Sequence, residues 1–132
     1  MIGRPKIGTT GELEIMVESK HAIDFASGGM PAVLSTPNLV GLLERTAREA
    51  LQPFLDAGER TVGTEIELRH LAPTPVGQKV VCIARVIQVE GAQVTFQIEA
   101  RDEQEIIARG VHKRAVIRVD SFARKVARKH SS

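Results

Sequence analysis

"MPAVLSTPNLVGLLERTAREAL", residues 30–51, carries the one long helical pattern of the chain. Thr36 reads as its N-cap and Pro37 as its first residue, where a missing N–H leaves nothing unbonded. Val40, Leu43, Ala47, Ala50, Leu51 and Phe54 recur at helical spacing, with Arg45, Arg48, Glu49 and Gln52 on the polar face. Pro53 falls in the last turn, and Gly58 ends the run. This stretch decides the fold because strands follow it without a second helix between them.

Before the helix, "GELEIMVES" alternates, Leu13, Ile15 and Val17 facing one way and Glu12, Glu14 and Glu18 the other, as in a half-buried strand. "KHAIDFASGGMPAVLS" is irregular and reads as a loop or short helix lying over something. After the helix, "RTVGTEIELRH" and "AQVTFQIEAR" alternate, "QKVVCIARVIQVE" is almost continuously apolar, and "EIIARGVHKRAVIRV" is mixed. "VEGAQV" reads as a tight hairpin connection through Gly91. Strands joined by short turns imply an antiparallel sheet, and one helix must cover one of its faces. The expected class is α+β, in its hotdog form: a curled antiparallel sheet of about five strands around one long central helix. Residues 1–10 are expected to be a loose N-terminal lead, 11–119 a single domain, and 120–132 a basic C-terminal tail.

The chain has 132 residues and is 42% apolar, enough for one domain with a real core. Four Phe with no Tyr or Trp argue against a single-strand nucleic-acid reader, which stacks bases on aromatic rings. The net charge is +2 and the sequence pI about 9.0, with Arg124, Lys125, Arg128 and Lys129 clustered in a tail read as a solvated or frayed end. Cys82, the sole cysteine, sits in an apolar run and reads as a core residue. A lone cysteine, no signal-peptide pattern and no apolar run of membrane-spanning length suit a cytoplasmic protein without a membrane partner. The histidines and the cysteine lack metal-ligand spacing, and there is no Gly-rich phosphate loop, G-x-S-x-G or H-E-x-x-H.

Two residues of the helix carry chemical potential. Thr36 projects near the centre of the apolar stripe, and Glu44 lies about 80° round from it, at the border. Glu44 either pairs with Arg48 at i+4 on the surface or reaches a crevice between helix and sheet. In "TVGTEIELRH", alternation sets Val62, Thr64, Ile66, Leu68 and His70 on one face. His70 is thus either a hydrogen-bonded core histidine or a partner of Glu44 in that crevice. A hydroxyl, a carboxylate and an imidazole on one apolar interface suit acyl hydrolysis, with helix-mouth N–H groups facing a developing oxyanion. Gly63 allows close backbone approach or marks a bulge. Arg114 either holds an acid or phosphate or lies with Lys113 on a solvated edge. His112 is placed by nothing in the sequence, and His21 reads as ordinary surface.

"MPAVLSTPNLVGLLERTAREAL", "GERTVGTEIELRHLAPTPVGQKV" and "GVHKRAV" resemble the hotdog thioesterase family that includes fluoroacetyl-CoA thioesterase, over roughly Leu13 to Val119. The most specific parts are the Thr at the helix mouth, the Glu eight residues on, and "VGT" followed by H-x-A-x-T-P-x-G. The resemblance implies that Thr36, Glu44 and His70 are catalytic and that Gly63 and Arg114 lie near the acyl group. In the segment where the fluoroacetyl-specific enzyme has aromatic lid residues, this chain has Phe25 as its only aromatic and Met30 beside the helix; both are taken as substrate-binding candidates. The implied activity is hydrolysis of a small acyl-CoA by a homodimer with its site near the subunit interface. Coenzyme A would enter only as part of the substrate, with no other cofactor and no metal. The alternative is a hotdog protein that binds an acyl-CoA or acyl carrier without hydrolysing it.

Overall fold

A computed structural model describes residues 1–130 of the protein; Ser131 and Ser132, the end of the expected tail, lie outside the described residues. The elements run β1 (Thr10–Met16), α1 (Thr36–Leu51), β2 (Glu59–His70), β3 (Lys79–Glu90), β4 (Gln93–Arg101), β5 (Ile106–Arg118) and α2 (Val119–Ala127). The strands form one antiparallel sheet in the order β1-β3-β4-β5-β2, and α1 lies across its concave face. This is the hotdog architecture. Among the described residues, no helix is long and apolar enough to cross a membrane.

β2 does not pair with β3, its neighbour in sequence. It pairs with β5 at the far edge, leaving β4 and β5 between the two. Three strand spacings are about 14 Å, and the connection 71–78 spans that easily when extended. Thr74 pins this crossover: fully buried, it donates through Oγ1 to Asp102 Oδ2 at 2.9 Å, while its carbonyl accepts from Leu34 N–H at 2.8 Å.

Inward residues alternate along each strand. Val80, Cys82, Ala84 and Val86 of β3 and Val94, Phe96, Ile98 and Ala100 of β4 form the floor under α1. Leu39, Leu42, Leu43, Ala47 and Leu51 fill the space above it. The helix is rotated slightly from the sequence expectation: Val40 and Ala50 are only half-buried, and Leu39 and Leu42 take their place. Cys82 is a core residue as expected, and burial pushes its thiol up to about 11.

The alternation expected for β2 fails at one point. A bulge between Gly63 and Glu65 shifts the register with β5. Before the bulge, Thr61 and Gly63 face the helix side with Arg114, and Val62 faces outward with Ala115. After it, Ile66, Leu68 and His70 face inward. Val62 therefore does not share a face with His70, because one extra residue reverses the parity of the strand.

The N-terminal end also differs from expectation. The N-terminal lead is tied down: Ile2 N–H donates to the Phe54 carbonyl at 2.9 Å, and Gly8 N–H to that of Val86 at 2.8 Å. The basic tail begins as a helix, α2, all of whose residues are exposed.

Candidate active site

The mouth of α1 is capped one residue earlier than the sequence implies. Ser35 is the N-cap, its hydroxyl accepting from Asn38 N–H at 3.2 Å and from the Asn38 side-chain amide at 2.7 Å. Thr36 is already helical, so its hydroxyl is released from capping. It lies 2.8 Å from His70 Nδ1, in a hydrogen bond joining the helix mouth to the last residue of β2. His70 Nε2 is buried and has no hydrogen-bond partner among the described residues. Burial holds the imidazole below its ordinary value near 6.5, with the Ala72 backbone acting the other way, so it is neutral at pH 7. Ile23, Val33, Leu34, Leu71, Ala72 and Pro73 join Thr36 and His70 in lining a crevice of about 300 Å³.

A second polar cluster lies two turns along α1. The Glu44 carboxylate does not pair with Arg48. Its Oε2 is 3.5 Å from Arg114 Nη1, and Arg45 pairs instead with Glu49. Arg114 is buried, with Nε donating to Thr61 Oγ1 and Nη2 to the Thr61 carbonyl, both at 3.0 Å. Nη1 also contacts His112 Nε2 at 3.2 Å. Lys113 points the other way and pairs with Glu65 on the outer face, so the two basic neighbours do not share an edge. Gly63 lies beneath Glu44: a Cβ added there would collide with Glu44 Oε2 and press on His112 Cε1 at 3.2 Å. The glycine is thus a seat for the carboxylate.

Within one chain the two clusters stay apart. Eight helical residues carry Glu44 about 12 Å from Thr36, and seven strand residues carry Gly63 about 23 Å from His70. No hydrogen bond or ion pair joins them among the described residues. Of the other two candidates, Phe25 lines an open groove of about 540 Å³ at the helix mouth with Ser35, Thr36, Pro37 and Asn38, and is 62% exposed. Met30 is exposed and lines neither this groove nor the His70 crevice. Sequence reading missed Thr61, Ser35 and His112. For His112 a signal existed: two-residue spacing from Ala108 sets it on the same face as Arg114.

This fold has known counterparts. The pattern of the fluoroacetyl-CoA-specific thioesterase family matches residues 17–120. The chain belongs to that family. The fluoroacetyl-CoA thioesterase of Streptantibioticus cattleyicolor is 38% identical over 99 residues, covering 75% of this chain and 71% of that protein. A mutant of the fluoroacetyl-CoA-specific thioesterase FlK, solved in complex with fluoroacetate and CoA, superposes with a TM-score of 0.83 at 30% identity, over 89% of this chain and 99% of that one. A thioesterase superfamily member from Thermus thermophilus gives 0.85 at 28% identity, over 98% and 100%. Membership in the fluoroacetyl-CoA-specific thioesterase family thus rests on sequence and fold together, and both polar clusters fall within the matched residues.

Proposed function

We infer that the protein is an acyl-CoA thioesterase, converting a small acyl-CoA and water to a carboxylic acid and coenzyme A. The observation that carries this reading is the Thr36–His70 pair at a helix mouth, with a buried, unpartnered Nε2 beside an apolar crevice. A buried polar atom without a partner is costly unless something binds it. Water or the thioester is the natural occupant, and the crevice suits a short acyl chain.

Glu44 supplies the carboxylate. It either removes a proton from water as water attacks the thioester, or attacks the carbonyl itself, expelling CoA thiolate and leaving an anhydride that water cleaves. Each route consumes one water and releases one acid and one thiol. His70 handles the proton, and Thr36 orients the imidazole. Arg114 holds the Glu44 carboxylate in place through their ion pair.

For these groups to act together, two chains are needed. β2 is a twelve-residue edge strand, and a second β2 pairing with it antiparallel about a two-fold would cover both edges. In such a pairing centred near Ile66, Gly63 of one strand runs beside His70 of the partner subunit. Each site then combines Glu44, Gly63 and Arg114 of one chain with the Thr36–His70 pair of the other.

Purified protein and a panel of acyl-CoAs from acetyl to medium chain, followed with a thiol-reactive dye, test the reading. Cys82 is fully buried and does not compete for the dye. Turnover of a short acyl-CoA, reduced about a thousandfold or more in Glu44→Ala, is expected. Saturable binding with the thioester recovered intact would overturn hydrolysis. Phe25 is exposed rather than folded over the crevice, so acetyl-CoA and fluoroacetyl-CoA are expected to react within about tenfold of each other.

A further inference from the structure

His112 is 1% exposed and belongs to none of the roles above. Its ring stacks on Phe96, centroids 6.5 Å apart, and both nitrogens are engaged. Nδ1 lies 2.8 Å from the carbonyl oxygen of Glu65, just past the bulge in β2, and Nε2 lies 3.2 Å from Arg114 Nη1. A carbonyl can only accept, and a guanidinium can only donate. The proton must therefore be on Nδ1 and the lone pair on Nε2. The neutral Nδ1–H tautomer is the one form that makes both bonds.

Arg114 is fixed at every nitrogen. Thr61 takes Nε and Nη2, and His112 takes a hydrogen of Nη1, which leaves Nη1 as the ion-pair partner of Glu44 Oε2, 3.5 Å away. We propose that His112 is a positioning residue for hydrolysis, aiming Arg114 Nη1 at the Glu44 carboxylate and holding that carboxylate over Gly63. This rests on the reading of Glu44 as the reacting carboxylate. The charged groups around His112 are Arg114 on its own strand and Glu44 on α1, with Arg48 acting on Arg114 as a like charge. From β4 it meets the Phe96 ring, and from β2 the Glu65 backbone, since the Glu65 carboxylate is on the outer face with Lys113. A protonated ring would lose its acceptor and set a cation against Arg114.

The test compares kcat, KM and melting temperature for wild type, His112→Phe, His112→Gln, Arg114→Met and the Phe/Met double variant on the best short acyl-CoA. Phe keeps ring volume without either bond; Gln keeps an acceptor within reach of Nη1. His112→Phe should lower kcat about tenfold or more with KM within about threefold, and Gln should restore most of the loss. In the Arg114→Met background the Phe substitution should cost nothing further, because it acts through Arg114. A kcat for His112→Phe within about twofold of wild type, or an undiminished cost beside Arg114→Met, would overturn the proposal. Imidazole ¹⁵N shifts of the wild-type protein decide the geometry without any variant or turnover. An Nδ1–H tautomer at pH 7 is expected, and an Nε2–H ring or an imidazolium refutes it. Absence of wild-type turnover with the Nδ1–H tautomer present would refute hydrolysis, and the positioning role of His112 with it, while the hydrogen-bonded arrangement stands.

Discussion

At the scale of residues, neighbouring hydroxyls at the mouth of α1 have different work. Ser35 caps, so Ser35→Ala should cost about 1 kcal/mol of stability in urea unfolding. Thr36 binds His70 instead, so Thr36→Ala should lower kcat at least about tenfold while the unfolding midpoint barely moves. Equal stability losses for both would contradict this division. The site's titration follows from burial. His70 and His112 are both held below the ordinary value near 6.5, so between that value and their folded values the unfolded chain binds more protons. Stability should be full above about pH 6.5 and fall as pH drops toward the depressed folded values. A urea midpoint that is flat or rising from pH 7 to pH 5 would count against it. Thr36, Glu44 and His70 were all visible in the sequence as polar groups on or beside apolar faces. The capping residue was not, because "STP" offers adjacent hydroxyls and only the backbone turn selects between them. Nor was the partner of Glu44: Arg48 is local at i+4, whereas Arg114 arrives from a strand seventy residues on.

At the scale of elements, the five strands and the long helix were legible because each is an alternating or strongly apolar run of seven or more residues set off by turn-forming segments. The bulge in β2 was not. "TVGTEIEL" alternates smoothly on paper, and Val62, Thr64 and Ile66 all pass for one face. The bulge breaks the parity there, and beside it Gly63 leaves the room that the Glu44 carboxylate occupies. Gly63→Ala should therefore reduce kcat by about tenfold or more with an ordinary circular-dichroism spectrum, since the backbone there is not in the left-handed region. Retention of full activity would mean that Glu44 does not work from this seat. α2 lies outside the site, so deleting residues 120–132 should leave kcat/KM within about twofold of the full chain. A loss of activity with the fold intact would show that the tail handles substrate.

At the scale of the whole molecule, one chain holds two separate polar clusters. The helix mouth carries Thr36 and His70; two turns on, Glu44 rests on Gly63 beneath Arg114. Their separation is invisible when each residue is assigned to a face, and on the proposed reading an exposed β2 edge brings the two together in a dimer. In the proposed dimer, two copies complete the site across that edge. It is tested most directly by mixing Glu44→Ala with His70→Ala protein, after dissociation and reassociation, and measuring acyl-CoA hydrolysis. Each variant alone should be inactive. A mixed dimer contains one site with both substitutions and one with neither, so random reassociation should restore about a quarter of wild-type activity. No recovery, with mixed dimers shown to form, would place Glu44 and His70 in the same chain's site and contradict the account.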